Sequence, residues 1–395
     1  MAVISILKNL KKDNNRPLIA NIMFDYCIIM AGGSGTRLWP ASNTEKSKQF
    51  LPVSRENKTD TFFSASLERA FSTLNPHGEV IVVAGKTHVP HIIESCALLK
   101  ADERKRIVVI PEPQAKNTAA AVLCGIVYTE RVAGAGRTIL VLTSDHLISP
   151  LSAFKSDAES VLDFIKDGHL AVFGIPPKKA ETGYGYIEAA DDLKEAKVYQ
   201  VASFREKPDR KKAEEFIATG RFYWNSGMFA FSSSAMMKAF RDNASEVYLP
   251  FEKIKTPAET AYSVNQDVRI LSNWLNLEDV YAEAKNISFD YAIAEKYAHT
   301  VMVKAGFDWR DIGSWDEYAL LLGDTGSEIY QVNSSSCFVD SDIPVALCAV
   351  DDLIVVVRSG KDGRAASVLI AKKGETQAVK DITEQIKLAG KKNLL

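Results

Sequence analysis

Residues 31 to 40 read Ala-Gly-Gly-Ser-Gly-Thr-Arg-Leu-Trp-Pro, and this glycine-rich stretch directly follows the apolar run from Tyr26 to Met30. The run is short, apolar and partly β-branched, which is typical of a buried parallel strand. The glycines free the backbone after the strand, so that consecutive N–H groups can point at one anion. Arg37 adds a permanent cation whose fork geometry suits phosphate oxygens. The stretch therefore predicts a loop that binds a triphosphate at the end of a strand.

Three other interpretations of this loop fit the residues less well. An ordinary strand-to-helix turn would not require Arg37. A dinucleotide-binding fingerprint needs Gly or Ala to close the helix against the sheet, and Leu38 stands at that position. A Walker-type loop ends in Gly-Lys-Ser/Thr, which Gly35-Thr36-Arg37 does not provide. A phosphate-binding loop outside these two motifs remains the prediction.

Composition limits the class of protein and its partners. The chain has 395 residues, 46% of them hydrophobic, which is enough for a full core and a second, smaller unit. Its 48 basic and 50 acidic residues argue against nucleic acid or an anionic membrane as a partner. The five cysteines are widely spaced and lack a Cys-x-x-Cys pair, which favours buried thiols in a reducing cytosol. No apolar run reaches the roughly 18 to 20 residues that span a bilayer. The sequence therefore predicts a soluble, cytoplasmic protein.

Apolar, β-branched runs alternate with segments of helical period in the first half of the chain. The predicted strand and helix pairs are 80–84 with 89–100, 107–110 with 118–131, and 138–143 with 153–166. This rhythm indicates βαβ units, and hence an α/β fold with a Rossmann-like, mostly parallel sheet flanked by helices. Such sheets bind ligands at the carboxyl ends of their strands, where the glycine loop and Asp145 fall.

A change of composition at 323–327 predicts a boundary between a larger unit, 23–325, and a short β-rich tail, 326–395. The tail should end in a helix over 375–388, whose packing face would comprise Ala378, Val379, Ile382 and Ile386. Residues 1–22 are polar and precede the first core strand. Two interpretations stay open for them: a surface extension, or a segment before a native start at Met23.

Two cations and two carboxylates are the candidate catalytic residues. Lys48 follows Arg37 by eleven residues, so one loop could bring both onto one polyphosphate, although a solvated surface lysine would look the same. Asp145 directly follows an apolar strand and could hold Mg²⁺ against phosphate oxygens, or it could cap the next turn. Asp311 lies between Trp309 and Trp315 and offers a second carboxylate. Two carboxylates with substrate phosphates are sufficient for a Mg²⁺ site.

Three further motifs place polar groups among aromatic side chains, as sugar-binding sites do. They lie at 182–186, 204–208 and 224–228. Each could equally be a hairpin or an edge turn.

In their order along the chain, these motifs resemble those of the mannose-1-phosphate guanylyltransferases, also called GDP-mannose pyrophosphorylases, of the sugar nucleotidyltransferase superfamily. The matching segments are 32–40, 48–52, 112–121, 145–146, 183–187, 206–208, 224–229 and 311–315. The resemblance implies a nucleotide-diphospho-sugar transferase fold with a small C-terminal β-helix-like extension. It also implies transfer of GMP from GTP to α-D-mannose 1-phosphate with Mg²⁺, and a homodimer, since the extension often mediates dimer contacts in that family.

The resemblance also assigns roles to residues. It implies that Arg37 and Lys48 bind and neutralise the GTP phosphates, while Asp145 and Asp311 hold Mg²⁺. The expected nucleotide-binding residues are Ala31, Gly32, Gly33, Gly35, Thr36, Arg37, Lys48, Asn117, Thr118 and Ser144. The residues expected on mannose 1-phosphate are Gly183, Glu206, Lys207 and Asn225. Ser47 departs from the family, which usually has proline before the lysine.

Two alternatives to this function stay open. Phosphate handling does not specify the base or the sugar, so another nucleotide or another hexose 1-phosphate could be the substrate. A catalytically silent subunit that binds GDP-mannose and regulates a partner is the second alternative. The presence of Arg37, Lys48, Asp145 and Asp311 argues against a silent subunit, which has no need of the full set of charges.

Overall fold

The structure is a computed structural model that describes residues 23–33, 35–190, 197–323, 328–360, 366–391 and 394. The predicted N-terminal segment 1–22 lies outside the described residues, as does most of the predicted boundary at 323–327. The described residues form eighteen strands and twelve α-helices, together with several short 3₁₀ turns and one π-helical turn.

The strands are β1 (Phe24–Met30), β2 (Leu74–Gly85), β3 (Ile107–Glu112), β4 (Thr138–Thr143), β5 (His146–Ser149), β6 (Leu170–Ile175), β7 (Tyr186–Ala189), β8 (Val198–Arg205), β9 (Phe222–Ser232), β10 (Tyr262–Asn265), β11 (Val268–Leu271), β12 (Thr300–Lys304), β13 (Asp308–Asp311), β14 (Ile329–Val332), β15 (Phe338–Ser341), β16 (Val345–Cys348), β17 (Leu353–Arg358) and β18 (Ser367–Lys372).

The helices are α1 (Phe62–Thr73), α2 (Val89–Cys96), α3 (Ala101–Arg104), α4 (Asn117–Ala133), α5 (Leu151–Ser160), α6 (Leu162–Lys166), α7 (Arg210–Thr219), α8 (Ser233–Asn243), α9 (Ser245–Glu252), α10 (Leu277–Glu283), α11 (Trp315–Leu322) and α12 (Val379–Leu388). The strands and helices predicted between residues 80 and 166 are confirmed, with the last helix divided into α5 and α6.

Eleven strands form one sheet in the order β10-β11-β3-β2-β1-β4-β9-β6-β12-β8-β7. Strands β11, β3, β2, β1 and β4 run parallel, as the alternation of strands and helices predicts. Strand β9 lies antiparallel between β4 and β6, and β7, β8 and β10 also pair antiparallel. Eight of the eleven strands point the same way, as predicted, but β8, β9 and β10 run in the opposite direction and make the sheet mixed. Periodicity reveals a strand, but its direction depends on the partner that it meets in the tertiary structure.

Helices cover both faces of the sheet. Successive side chains of β1 point to opposite faces, so Ile28 belongs to one buried cluster while Cys27 and Ile29 belong to the other. Helix α4 packs on the Ile28 side, where Gly125 makes room: a Cβ there would lie 2.6 Å from Cδ1 of Ile28. Helices α1, α2, α5 and α6 contribute to the opposite cluster. The result is a three-layer α/β unit.

The tail has its own strand pairings. β14 runs parallel to β16 and β15 runs parallel to β17, with the same separation along the chain in both pairs. β18 pairs antiparallel with β17. The β-rich character of the tail therefore agrees with the sequence.

The packing face of the terminal helix differs from the prediction. Val379 is buried and Ile386 is partly buried, but Ala378 and Ile382 are exposed. Thr383 is buried instead, and its hydroxyl donates to the carbonyl of Lys380 at 2.8 Å. Because that bond satisfies the hydroxyl, a polar residue can take a core position that a count of apolar residues misses.

No helix in the described parts of the chain is long and apolar enough to cross a membrane. All five cysteines are described, and all five are free thiols. Cys27, Cys96 and Cys124 are buried, whereas Cys337 is partly buried and Cys348 is exposed. The prediction of buried thiols is therefore wrong for Cys348, which lies in the small tail.

Candidate active site

The glycine loop begins where β1 ends, at the carboxyl edge of the parallel strands. The Ala31 N–H donates to the carbonyl of Val83 on β2, and the Ala31 carbonyl accepts from the side-chain amide of Gln49 at 3.0 Å. Gly33 and Gly35 have positive φ angles of 92° and 56°, which L side chains rarely adopt. Gly32 and Gly33 are exposed.

Gly35 lets the loop meet the segment that carries Lys48. A Cβ at Gly35 would lie 2.5 Å from the backbone nitrogen of Lys48, a distance that real Cβ atoms essentially never show. At Gly33, by contrast, a Cβ would have no neighbour within 4 Å. Only Gly35 is therefore required for the close approach of the two segments.

A serine and a histidine hydrogen-bond the glycine loop to the segment that carries Lys48. The Ser47 hydroxyl donates to the carbonyl of Gly33 at 2.8 Å, and it lies 2.7 Å from Nε2 of His88. Nδ1 of His88 lies 3.0 Å from the carbonyl of Ala31. Ser47 occupies the position where the resembling family usually has proline, and here its hydroxyl makes bonds that a proline could not. The role of His88 was missed from sequence, because its partners lie far away along the chain.

Lys48 lies between the two predicted metal-binding carboxylates. Its Nζ is 3.0 Å from Oδ2 of Asp145 and 2.7 Å from Oδ1 of Asp311. The lysine side chain is 8% exposed, whereas those of Asp145 and Asp311 are 37% and 19% exposed. β4 ends just before Asp145, and β13 ends at Asp311 and pairs with β5, so two sheets bring the carboxylates together.

The charges in this group shift one another's pKa. Burial by itself would lower the pKa of Lys48, but Asp145 and Asp311 outweigh it and raise that pKa above its usual value. Burial would raise the pKa of Asp145, yet the Lys48 ammonium and His146 hold it well below its usual range. The lysine is therefore charged, and its charge favours an ionised Asp145 at neutral pH.

His146 completes a possible ligand set. Asp145, His146 and Asp311 each offer one ligand atom, and these atoms lie within 4.8 Å of one another. Nδ1 of His146 accepts from the indole N–H of Trp309 at 3.2 Å and lies 2.6 Å from the Thr143 hydroxyl. Burial lowers the pKa of His146, which favours the neutral imidazole that a metal requires. Hard carboxylate oxygens suit Mg²⁺, so the group fits the predicted ion.

Arg37 is the exposed cation beside the glycine loop. It lies in the 3₁₀ turn Thr36–Leu38, and its Nη1 would be 3.7 Å from a Cβ at Gly313, two residues after Asp311. Within the described residues, no carboxylate forms an ion pair with its guanidinium. Arg37 is therefore available to an anionic ligand at the edge where Asp311 lies.

The other predicted nucleotide-binding residues lie around the same strand ends. Asn117 begins α4 and is exposed, whereas Ser144 is buried after β4. Thr118 is already engaged, since its hydroxyl accepts from the N–H of Phe289 at 2.8 Å. Sequence reasoning did not single out Glu112, a buried carboxylate at the end of β3 whose Oε2 would lie 3.5 Å from a Cβ at Gly32. Burial raises the pKa of Glu112 to about 7.

Three of the four residues predicted to bind mannose 1-phosphate lie close together, namely Glu206, Lys207 and Asn225. Oε1 of Glu206 is 2.7 Å from Nζ of Lys207, and the side chain of Glu206 is 6% exposed. The Asn225 amide donates to Oδ1 of Asp290 at 2.8 Å. Gly183 is apart from these contacts, because its N–H donates to Glu181 at 3.3 Å.

Asp290 was missed from sequence, and it belongs to the same polar cluster as Glu206, Lys207 and Asn225. It opens the π-helical turn Asp290–Ala294, a rare conformation that is frequent at functional sites. Burial, followed by the nearby carboxylate of Glu206, raises the pKa of Asp290 to about 6. A π-turn depends on packing around it, so the apolar pattern of 287–294 does not reveal it.

Tyr184 joins the two halves of the site. Its ring centroid lies 5.3 Å from that of Trp224 and 5.2 Å from that of Trp309, edge-on in both contacts. Trp224 precedes Asn225, and Trp309 lies two residues before Asp311. The aromatic contacts therefore fix the polar cluster around Asn225 relative to the two aspartates.

The tail supports the segments that carry the charged residues. One buried cluster contains Leu38, Leu51 and Ile312, which closely follow Arg37, Lys48 and Asp311. We call it the tail cluster, and its remaining buried members are Trp39, Ala41, Phe62, Trp315, Tyr318, Ala319, Phe338, Ile354, Val356, Leu369 and Val379. Loops hold side chains accurately only when packing fixes them, and here the tail provides part of that packing.

A glycine loop at the strand edge, a lysine between two aspartates and an adjoining polar cluster precede the result of a comparison with family models. Residues 26–325 match the model described as nucleotidyl transferase. The chain belongs to the nucleotidyl transferase family. The match covers the eleven-stranded sheet except for Phe24 and Asp25 at the start of β1, and it includes every charged residue of the site.

Individual members of the nucleotidyl transferase family are similar over most of this chain. A mannose-1-phosphate guanylyltransferase of Klebsiella pneumoniae is 32% identical over 91% of this chain and 73% of its own length. The alginate biosynthesis protein AlgA of Pseudomonas aeruginosa is 31% identical over 92% of this chain and 72% of its own. The crystal structure of mannose-1-phosphate geranyltransferase from Thermus thermophilus superposes with a TM-score of 0.73 at 27% identity, covering 92% of this chain and 99% of that one.

Proposed function

We propose that this chain transfers GMP from GTP to α-D-mannose 1-phosphate, giving GDP-mannose and pyrophosphate. The observation that carries the proposal is the junction of the glycine loop with Lys48, Asp145 and Asp311. Two curated relatives named mannose-1-phosphate guanylyltransferase each match 91% of this chain. Their names support guanine as the base and mannose as the sugar.

The reaction needs no nucleophile from the protein. A phosphate oxygen of mannose 1-phosphate attacks the α-phosphorus of GTP in line with the bond to the bridging oxygen, which breaks as pyrophosphate leaves with the electron pair. Both reactants are anions that repel each other, so the main tasks are alignment and neutralisation of charge. In the proposal, Arg37 and the N–H groups of Gly32, Gly33, Gly35 and Thr36 bind the phosphates that become pyrophosphate, with Lys48 beside them, whereas the Ala31 N–H is already engaged by Val83.

The remaining site residues take roles that follow their positions. Asn117, Thr118 and Ser144 line the nucleoside side, at the ends of β3 and β4. Gly183, Glu206, Lys207 and Asn225 take the mannose 1-phosphate, where Lys207 offers charge to the phosphate and the carboxylate of Glu206 accepts from sugar hydroxyls. Asp290 orients the Asn225 amide through their hydrogen bond.

Asp145 and Asp311 would hold Mg²⁺, with His146 close to both. When bound, the ion supplies positive charge to the phosphate oxygens as the leaving group forms. An observation that supports this assignment is that a cation already lies between the carboxylates, namely the Lys48 ammonium. In this proposal Lys48 neutralises the pair in the free protein and turns to the phosphates when substrate arrives.

Replacing Lys48 with glutamine should therefore strengthen the binding of a divalent ion to the free protein. Without the competing ammonium, the two carboxylates keep uncompensated negative charge at one point. We expect Mn²⁺ affinity to rise about tenfold or more, equivalent to about 1.4 kcal/mol. Electron paramagnetic resonance of free Mn²⁺, measured without nucleotide, gives the affinity directly.

Lys86→Gln is the matched control, because it removes a lysine from an exposed ion pair with Glu278. Its Mn²⁺ affinity should equal that of the unchanged protein. Equal or weaker Mn²⁺ binding in Lys48→Gln would refute the idea that the lysine and the ion compete for one place.

Gly35→Ala tests the close approach of the loop to Lys48. The added Cβ would push against the Lys48 backbone, and a displacement of about 1 Å at a reacting centre can cost about 100-fold in rate. We expect a loss of that order in GDP-mannose formation, measured as pyrophosphate release. Gly134→Ala is the control: Gly134 lies at the end of α4, outside the proposed site, where a Cβ adds strain from positive φ, roughly 1–2 kcal/mol, but meets no neighbour. Similar losses in both variants would show that the approach to Lys48 is unimportant.

The activity itself is tested by pyrophosphate release from the purified chain with GTP, mannose 1-phosphate and Mg²⁺. We expect turnover with this pair to exceed turnover with ATP, UTP or dTTP and with glucose 1-phosphate. Preference for another pair would assign a different specificity to the same chemistry. No release with any pair, in a protein that binds GDP-mannose, would favour the silent regulatory subunit.

The proposal also covers the division of the chain into units and its oligomeric state. We divide the chain into a catalytic unit, 23–325, and a tail, 326–395. The equal separation of the β14–β16 and β15–β17 parallel pairs supports a short β-helix-like coil for the tail. The homodimer that the family resemblance implies is part of the proposal, and light scattering of the purified chain checks it.

A further inference from the structure

The Ser47 hydroxyl lies between two groups that can each accept its single hydrogen. Its Oγ is 2.8 Å from the carbonyl oxygen of Gly33 and 2.7 Å from Nε2 of His88. Both side chains are buried, with Ser47 at 0% and His88 at 5% exposure. A hydroxyl donates one hydrogen and accepts others with its lone pairs. Whether Gly33 receives the hydrogen therefore depends on whether Nε2 of His88 carries a proton.

The other ring nitrogen of His88 determines where the protons are. Nδ1 lies 3.0 Å from the carbonyl oxygen of Ala31, which can only accept, so Nδ1 carries a hydrogen and donates it. In the neutral ring Nε2 then has a lone pair, which takes the Ser47 hydrogen away from Gly33. In the imidazolium Nε2 donates to Ser47, and the hydroxyl donates to Gly33. The bond from Ser47 to Gly33 therefore belongs to the protonated form of His88.

Bonds to these two carbonyls orient the glycine loop. A peptide group is planar, so a bond that holds its C=O also fixes the direction of its N–H. The bond from His88 to the Ala31 carbonyl thus orients the N–H of Gly32 in the same peptide group. At Gly33 φ is 92°, and a Cβ there would meet no neighbour within 4 Å. The Ser47 hydrogen bond therefore constrains a residue that has open space around it.

The surroundings of His88 favour the neutral ring in the free protein. Burial lowers the pKa of His88, the bond to the Ala31 carbonyl raises it, and His91 on helix α2 lowers it. Nδ1 of His91 lies 3.6 Å from Oε2 of Glu94. On another side the ring of His88 meets Phe50 edge-on, with 5.7 Å between the centroids. Burial and a second histidine therefore oppose the charge.

The lysines of the adjoining turns are already paired with carboxylates. Lys48, on the turn that also contains Phe50, directs its ammonium to Asp145 and Asp311. Lys86, two residues before His88, lies 3.3 Å from Glu278. A change in the charge of His88 therefore depends mainly on what binds to the glycine loop.

We propose that Ser47 and His88 are positioning residues for the triphosphate, and that GTP binding adds one proton from solvent to His88. The proton turns the Ser47 hydroxyl from Nε2 to the Gly33 carbonyl. Phosphates on the N–H groups of the loop bring negative charge close to His88, and such charge favours the imidazolium. Because linkage is reciprocal, GTP binds more tightly when His88 is already protonated. The inference rests on the proposed function, since it requires a triphosphate on the glycine loop.

The test compares GTP binding by the full chain and by Ser47→Ala on either side of the usual pKa of histidine, at about pH 5.5 and about pH 8. Isothermal titration gives the dissociation constants, and the ionisation of GTP cancels in their ratio. At the lower pH we expect Ser47→Ala to bind about tenfold more weakly, equivalent to about 1.4 kcal/mol. At the higher pH the ratio should fall to about twofold or less, because His88 is then neutral in the free protein.

Ser42→Ala is the matched control. The Ser42 hydroxyl also donates to a carbonyl of the glycine loop, that of Gly35, and in the described residues no histidine bonds to it. Its removal should therefore weaken GTP binding by the same factor at both pH values. A thermal melt of each variant shows that the folded protein is compared.

A second pair of variants tests the dependence on His88. In His88→Asn the amide can still donate to Ala31 but takes up no proton, so adding Ser47→Ala should weaken GTP binding equally at both pH values. His77→Asn removes an exposed histidine near the opposite end of β2. In that background the effect of Ser47→Ala should keep its pH dependence.

Three results would overturn the proposal: an effect of Ser47→Ala that is equal at both pH values, the same pH dependence in Ser42→Ala, or a pH dependence that persists with His88→Asn. If the unchanged protein then still releases pyrophosphate from GTP and mannose 1-phosphate, the transfer reaction stands and only this inference fails. Absence of GTP binding by the unchanged protein would overturn both proposals.

Discussion

Arg37→Ala is expected to lower the rate of GDP-mannose formation by about 100- to 1,000-fold, the usual cost of removing one preorganised group that stabilises developing charge. Arg37 is exposed at the glycine loop, and within the described residues no carboxylate pairs with it. Its charge therefore takes part in no ion pair with a carboxylate of the described fold. The melting temperature should stay close to that of the unchanged protein. Steady-state kinetics of pyrophosphate release, with a thermal melt of the same preparation, provides both measurements.

Arg310→Ala is the matched control for Arg37. On β13 the side chains of Asp308 and Arg310 are exposed, whereas that of Trp309 is buried and that of Asp311 is partly buried. Because alternate residues of a strand point to opposite faces, Arg310 points away from the carboxylate of Asp311. Its removal should leave the rate within about twofold of the starting value, since exposed substitutions away from a site have small effects. Near-normal turnover of Arg37→Ala would remove Arg37 from the mechanism.

Ile354→Ala is expected to lower the free energy of unfolding by about 2–5 kcal/mol, the usual range for truncating a buried isoleucine to alanine. Ile354 is fully buried in the tail cluster. The same cluster contains Leu38, Leu51 and Ile312, so a cavity there also loosens the segments that carry Arg37, Lys48 and Asp311. We therefore expect turnover to fall as well, under conditions where the variant is still folded. Urea unfolding followed by fluorescence, and kinetics at low temperature, measure the two effects.

Ile370→Ala provides the comparison within the same small sheet. Ile370 lies on β18, beside Val355 of β17, but its side chain is 65% exposed. Its truncation should change the free energy of unfolding by no more than about 0.5 kcal/mol, as is usual on the surface. If Ile354→Ala is destabilised while its turnover is unchanged, the tail stabilises the protein without positioning the site. Equal losses in the free energy of unfolding of the two variants would contradict the burial of Ile354 in the tail cluster.

The local residue types were sufficient to predict many elements. The β-branched runs before residue 143 predicted strands correctly, because each is short, apolar and followed by polar or glycine residues. The turn at the glycine loop was also predicted correctly, because the positive φ angles at Gly33 and Gly35 favour glycine over other residue types. The direction of a strand, by contrast, could not be predicted from its residue types. β9 has the same apolar character as a parallel strand, and only the tertiary structure shows that it runs antiparallel between β4 and β6.

The sequence by itself determined which charges this protein possesses and where strands end. Arg37, Lys48, Asp145 and Asp311 could all be proposed from their neighbours in the chain. Only the tertiary structure decided that Lys48 lies between two carboxylates that follow it by 97 and 263 residues. The same holds for His88, Asp290 and the tail cluster, whose partners come from distant segments. The physical reason is that residue type and period record local backbone preference, whereas a binding site depends on distances that only the packed sheet fixes.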